Sequence, residues 1–444
     1  MKVIVIGCTH TGTAAIKEIL NSHKNVEITV YEINDNISFL SCGIALCVGK
    51  TVGDINSLFY SSPEELESAG VNVFVKHKVV DVNIKDKTIK AINLDTNEEI
   101  SDNYDKLVIS TGSWPIEPNI EGVKLENILL SKNFKHANKI IEASEKAHSV
   151  AIVGAGYIGV ELAESFKELG KEVVLIDALD TVIGNYVDKE FASLVEEELK
   201  HHNVRLAMGE KVVKFEGDSK VKAVITSKNR YEVDLVIMCV GFRPNNGLVV
   251  NQLDTLPNGA IVVNEYMQTS DPDVFAGGDS VTLDYLPDRS KSYIPLATNA
   301  LRTGTLIGKN LLENKVKHPG TNATSSIKIF TLNISTTGLT EKVAKTRGLV
   351  VDSVTVSDNH LLEFMANYEK TTLKVVFEKE SKRVIGAQFI TRANLPQTIN
   401  VMSMVIHSNL TIDELPYLDF YFLPHFNKPW NIINLAGLKA TETN

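Results

Sequence analysis

The chain has 444 residues, 43% of them apolar and 23% charged; these are values of an ordinary globular protein, which exclude a disordered chain and leave length for two to four domains. Lys and Arg number 45 against 55 Asp and Glu, a net charge of −10, which argues against bulk binding to nucleic acid or to an anionic membrane. No apolar run approaches the roughly 20 residues that span a bilayer, MKVIVIG is no secretory leader, and four cysteines, Cys8, Cys42, Cys47 and Cys239, are too few for a disulfide scaffold, so the expectation is a cytoplasmic protein whose thiol chemistry, if any, is catalytic.

In chain order, KVIVIGC (2–8) reads as a buried strand, THTGTAAIKEIL as a turn and helix, and VEITVYE (26–32) as a second strand. Ser41 precedes an apolar run (Ile44, Ala45, Leu46) and reads as a helix N-cap. That would put Cys42 in a first helical turn, where the dipole lowers a thiol pKa and favours the thiolate. ESAGVNVFVKHKVVDVNIKDKTIKAI alternates strand and turn, and DKLVISTGSWP is a buried strand ending at a glycine turn. The opening pattern then returns as SVAIVGAG, YIGVELAESFKELG and KEVVLID over 149–177, with Gly7 and Gly12 matched by Gly154 and Gly159 at the same offset. Two β-α-β units so far apart imply two dinucleotide-binding domains. A second strand–Gly–Pro ending, VGFRPN, pairs with TGSWP as the crossovers by which one domain is inserted in the other. From about residue 320 the pattern changes to strands such as TLKVVFEK and RVIGAQFI with helical spacing near 395–409. The expected architecture is α/β: two Rossmann-like dinucleotide-binding domains, one inserted in the other, plus a C-terminal α+β domain. The expected boundaries are 1–113 with 245–318, then 114–244, then 319–444.

The strongest motif is Gly154-Ala-Gly156-Tyr-Ile-Gly159 between strand and helix. The first glycine permits the tight turn, the second lets backbone approach a pyrophosphate, and the third allows close helix–strand packing. The phosphate would sit on free N–H groups at the helix N-terminus. Asp177 ends the next strand, placed to accept from a ribose 2′-hydroxyl and to disfavour a 2′-phosphate, so NAD is expected over NADP. The N-terminal copy, Gly7-Cys-Thr9-His10-Thr-Gly12, has Thr9 where the middle glycine should be, yet Glu32 ends its next strand. Two adjacent dinucleotides suggest a flavin with a nicotinamide. In Asp273-Val-Phe-Ala-Gly-Gly278-Asp279 the glycines allow close approach and leave Asp279 free to bond a polyol chain. On its own, Gly-Gly-Asp is an ordinary turn, a lone Cys42 is usually a small buried hydrophobe, and a lone His10 in a loop usually has no chemical role.

In VIGCTHTGT, SFLSCGIAL, LFYSSPEEL, STGSWP, VGAGYIGVELAE, CVGFRPN, FAGGDS, PLATNALRTG and PHFNKPWN, the chain resembles the FAD-dependent pyridine nucleotide–disulfide oxidoreductase superfamily along nearly its whole length. It is most similar to the branch of NADH oxidases, NADH peroxidases and coenzyme A-disulfide reductases, and within it to the water-forming NADH oxidases. The resemblance implies that Cys42 is a single redox-active cysteine cycling between thiolate and sulfenic acid, with His10 beside it as acid or hydrogen-bond donor. It implies FAD contacts from Gly7, Cys8, Thr9, His10, Thr11, Gly12, Glu32, Ser41, Cys42, Val79, Ser110, Thr111, Gly112, Ser113, Lys132, Gly278, Asp279, Leu296, Ala297 and Thr298. NADH would be held by Gly154, Gly156, Tyr157, Ile158, Gly159, Asp177, Tyr186 and Gly241, with Tyr157 covering the nicotinamide pocket. The last domain would form a homodimer, or a dimer of dimers, whose PHFNKPWN segment, with Phe426, approaches the partner's active site; no metal is implied.

Cys47 departs from that branch. With Cys42 it gives CxxxxC, the spacing of dithiol reductases, but an i,i+5 pair on a helix points in separate directions beyond the usual disulfide reach of about 7 Å, so Cys47 is read as a buried apolar substituent. The resulting expectation is an NADH oxidase reducing dioxygen to water. NADH peroxidase, coenzyme A-disulfide or dithiol reductase, and a non-catalytic flavoprotein sensor are the competing readings.

Overall fold

A computed structural model describes residues 1–442. The strand Lys2–Ile6 is a β-branched run buried at every position but its first, which suits a parallel strand covered on both faces. It lies at the centre of a five-stranded sheet in the order Val274–Ala276, Lys106–Ile109, Lys2–Ile6, Glu27–Tyr31, Asn72–Phe74, every pair parallel. The strand Ser149–Val153 has the same burial pattern and the same place in a second parallel sheet, ordered Ile128–Leu130, Leu235–Met238, Ser149–Val153, Glu172–Asp177, Arg205–Met208. The internal repeat of the sequence is therefore a repeat of topology. Each half also carries a three-stranded antiparallel sheet, over 77–103 and over 212–232.

The two halves are joined where Ser113–Pro115 pairs antiparallel with Phe242–Pro244. The outer strand of the first sheet, Val274–Ala276, is drawn from beyond that second crossover. The helix Ala297–Asn310 returns to pack on the helix His10–Ser22, and two glycines one turn apart let them meet: a Cβ on Gly304 would stand 2.4 Å from the Thr11 carbonyl oxygen, and one on Gly308 2.5 Å from the Glu18 Cβ.

The chain ends in a five-stranded antiparallel sheet, Ser325–Ile329, Leu332–Gly338, Val384–Thr391, Lys370–Glu378, Val351–Asn359. Helices Thr398–His407 and Ile432–Glu442 pack on this sheet, while Ile327, Ile334 and Ile390 pack with Val160 and Phe166 of the second repeat. The strand Val384–Thr391 is accordingly buried at all its positions. Among the described residues no helix is long and apolar enough to cross a membrane. One local expectation fails: the segment that begins ESAG does not open as strand and turn, because Pro63–Ser68 is a helix capped by Ser62 with Pro63 in its first turn.

Candidate functional site

A cavity of about 1100 Å³ is lined by both repeats and by the C-terminal sheet. Three helices of similar length begin at its wall, His10–Ser22, Tyr157–Glu168 and Ala297–Asn310, and none has a side-chain cap or an acidic residue in its first turn. By contrast Ser62, Asn133 and Thr340 cap three other helices, the last two also at this cavity. Uncapped N–H groups and the positive dipole end favour an anion or a carbonyl oxygen. The glycine pairs make two of these approaches possible. Gly7 and Gly154 are left-handed, at φ +90 and +108, and a Cβ on Gly12 or Gly159 would stand 2.1 or 1.9 Å from the carbonyl oxygen of Gly7 or Gly154. Neither Thr9, at φ −94, nor Gly156, at φ −77, is in the left-handed region, so the first turn does not need its missing middle glycine for a positive φ.

At one end of the cavity Glu32 is buried, accepting from the Cys8 N–H (2.7 Å), the Asn34 N–H (2.8 Å) and the Asn34 side-chain amide (2.6 Å). Burial pushes its carboxyl up, and these donors oppose that. Elsewhere in the lining, Asp279 accepts from the Ser113 hydroxyl at 2.6 Å and from Lys132 at 3.4 Å, and Lys132 also donates to Ser113 Oγ at 3.0 Å. Gly7, Thr9, Thr11, Ser41, Val79, Ser110, Thr111, Gly112, Leu296 and Ala297 complete this part of the lining.

Cys42 and His10 both line the cavity, and Cys42 is exposed to it. The helical-turn reading of Cys42 is corrected. Ser41–Gly43 is a single 3-10 turn with no side-chain cap, and the α-helix begins after it, at Ile44. Burial pushes the Cys42 thiol up, Glu161 and Asp279 add to this, and Lys132 opposes it. Burial therefore sets the direction of the shift, opposite to the one expected of a helical first turn. Cys47 is buried among apolar residues of the second core and forms no disulfide. His10 Nδ1 is 2.7 Å from the Tyr60 hydroxyl, while the buried Nε2 has no partner. Burial lowers the His10 pKa, so the ring is neutral at pH 7.

On the second repeat, Tyr157 stacks on Tyr186 with ring centroids 4.0 Å apart, and its hydroxyl is 3.1 Å from Ser325 Oγ of the C-terminal sheet. Gly156, Ile158 and Gly241 line the same wall. Glu161, one turn after Tyr157, also faces the cavity; burial, then the Glu164 charge, pushes its carboxyl up to about 7.

Eight of the expected site residues stand outside this lining. Cys8, Gly12, Gly154 and Gly159 shape the two turns from behind, and Gly278, at φ +65, packs on Thr11. Asp177 accepts from the Ala155 N–H (2.6 Å) and the Leu179 N–H (2.8 Å), bracing the second turn. Thr298 is exposed on the first turn of its helix, and Phe426 is 58% exposed on the C-terminal segment. Sequence reasoning missed Tyr60, Glu161, Ser325 and Thr336. The i,i+4 spacing of Glu161 from Tyr157 could have exposed it. Nothing local marks Ser325 or Thr336.

Two uncapped dinucleotide turns, an exposed thiol and a neutral histidine on one cavity define a two-nucleotide redox protein. The chain belongs to the pyridine nucleotide-disulphide oxidoreductase family, whose model matches residues 1–304, with the family's dimerisation domain matching 324–431. It is 50% identical over 444 residues to an NADH oxidase of Enterococcus faecalis, covering 100% of both chains. It is 40% identical over 460 residues to an NADH oxidase of Streptococcus pneumoniae, covering 99% of this chain and 100% of that one. The structure of a water-forming NADH oxidase from Lactobacillus brevis bound to NADH superimposes with a TM-score of 0.98 at 43% identity, covering 100% of this chain and 98% of that chain.

Proposed function

We propose that the protein is an FAD-dependent NADH oxidase that reduces dioxygen to water, consuming two NADH per dioxygen through Cys42. The observation that carries the reading is the exposed Cys42 thiol on the same cavity as an unpartnered His10 Nε2. The residues fit FAD. Glu32 stands where a ribose would be bound, Asp279 with Ser113 and Lys132 where a polyol chain would be, and the N-termini at His10 and Ala297 offer free N–H groups to a pyrophosphate and a ring carbonyl. When bound, FAD takes two electrons from NADH and passes them to dioxygen or to an oxidised sulfur. NADH is assigned to the turn Gly154–Gly159, with the carboxylate of Asp177 ending the next strand and disfavouring a 2′-phosphate. The sheets support dividing the chain near 113, 244 and 319.

The protein's own chemistry concerns hydrogen peroxide, the product of the first NADH. The Cys42 sulfur attacks one peroxide oxygen; an S–O bond forms, the O–O bond breaks, and the thiol proton leaves with the departing hydroxide as water. Tyr60 occupies Nδ1 and leaves Nε2 free; in the tautomer where the Tyr60 hydroxyl donates to Nδ1, the His10 ring proton is on Nε2, where it bonds the departing oxygen. The second NADH returns two electrons to the sulfenic acid, restoring the thiol and releasing the second water. Cys47, buried and unpaired, takes no part. The functional unit is a homodimer built on the C-terminal domain, where Tyr417, Tyr421, Phe426 and Trp430 stand 82, 71, 58 and 52% exposed. The test is Cys42→Ser. It should still consume NADH and dioxygen but release one hydrogen peroxide per NADH; a variant that still forms only water would exclude the cysteine from the reaction.

A further inference from the structure

The Tyr157–Tyr186 stack on the nicotinamide side is held by residues far away in sequence. Tyr186 lies in the segment 178–188, which contains Ile183, a fully buried β-branched residue at φ +43. Such a conformation persists only where its surroundings over-determine it. Inside the repeat the first part of the segment is held by the Gly209 N–H on the Leu179 carbonyl (2.6 Å), the Val182 N–H on Glu196 Oε1 (3.4 Å) and the Ile183 N–H on the Ala155 carbonyl (2.8 Å). At Tyr186 and Asp188 further restraints come from the C-terminal domain. The Thr336 hydroxyl donates to the Tyr186 carbonyl (3.2 Å), and two residues on, the Asp188 N–H donates to Gln388 Oε1 (2.6 Å). The Asp188 carboxylate, 4% exposed as a residue, accepts from the Gln388 amide (2.7 Å), Lys374 Nζ (3.1 Å) and the N–H groups of Glu341 and Lys342 (3.0 and 3.1 Å). Lys374 is itself buried and also meets Glu190 (2.5 Å) and Glu341 (2.8 Å).

We propose that Asp188, locked by Gln388 and Lys374 and seconded by Thr336, is a positioning residue for NADH, so that the C-terminal domain sets the Tyr157–Tyr186 stack within its own chain as well as serving assembly. The proposal rests on the assignment of NADH to this wall. It explains a clustering that stability alone leaves arbitrary. A buried charge cluster is weak evidence of stabilisation, because desolvation offsets most of the attraction, yet here it lies beside the strained segment that carries a cavity residue.

A second bridge between the same two bodies supplies the control. Arg392 holds the buried Glu198 through two bonds (3.0 and 2.5 Å), on the helix that begins just after Asp188 but away from Tyr186. The experiment titrates NADH into flavin-loaded protein without oxygen, following the Kd, and in parallel measures kcat and KM. Asp188→Asn should raise Kd and KM for NADH about tenfold with kcat within about twofold, and Thr336→Val, nearly isosteric and chosen to preserve the fold, about threefold. Arg392→Met should lower Tm and leave Kd within about twofold. Unchanged Kd in both Asp188→Asn and Thr336→Val, or an equal rise in Arg392→Met, would overturn the proposal. A wild type that binds NADH without turning it over would remove the oxidase reading, and the Kd ratios would still decide this one.

Discussion

Cys42 is exposed to the cavity yet carries a thiol that its surroundings keep protonated, by burial first and by Glu161 and Asp279 after that. Its reactivity therefore depends on what stands opposite, and His10 is the neutral group available. Tyr60 fixes which nitrogen of that ring is free. Tyr60→Phe should keep dioxygen uptake while slowing the peroxide step up to about tenfold, the scale of one lost hydrogen bond, so that an electrode and a peroxide assay together find a leak smaller than that of Cys42→Ser. Glu161 gives a pH signature. Its folded pKa is raised to about 7 from 4.5, so its contribution to stability is full below about 4.5 and is lost as pH rises through 7. Glu161→Gln stays neutral, and its Tm should gain on that of the wild type between pH 4.5 and 8; a constant difference across that range would contradict the assignment. The two cysteines were separable in the sequence by spacing. The protonation state of Cys42 was not, because the sequence suggested a helix cap at Ser41 where the chain makes a 3-10 turn.

At the scale of elements, the two dinucleotide turns were legible because their glycines act within a few residues: Gly12 against Gly7, and Gly159 against Gly154. The packing of the helix Ala297–Asn310 on the helix His10–Ser22 depends on glycines of the same kind, but the partner is nearly 300 residues away, and spacing says nothing about it. Gly304→Ala would place a Cβ 2.4 Å from the Thr11 carbonyl oxygen, a backbone atom that cannot swing aside. The helices should separate, costing about 1–3 kcal/mol by the usual scale of overpacking, and because both helix N-termini meet the cavity the variant should lose flavin on gel filtration; full flavin retention would show that this contact does not position the site. Ser325, Thr336 and Asp188 were illegible for the same reason. What sets them apart is hydrogen bonds between segments far apart in sequence, and each is an ordinary polar residue in its own neighbourhood.

At the scale of the whole molecule, the repeat sets two parallel sheets against one cavity, and the third sheet closes it. The order of the two parallel sheets could be anticipated from the internal duplication, since matched β-α-β units fold alike. Closure of the cavity by residues 323–347 could not, because that region carries no phosphate-binding turn and reads only as a separate α+β unit. In the proposed homodimer the exposed aromatics at 417–430 would extend the same logic to a second copy of the chain. The central claim, that this assembly carries dioxygen through to water, is tested most directly by stoichiometry: limiting NADH, an oxygen electrode, and peroxide assayed at the end. Two NADH consumed per dioxygen with no peroxide is the predicted result. One NADH per dioxygen with an equivalent of peroxide would contradict it, as would NADH oxidation that requires added peroxide or disulfide in place of dioxygen.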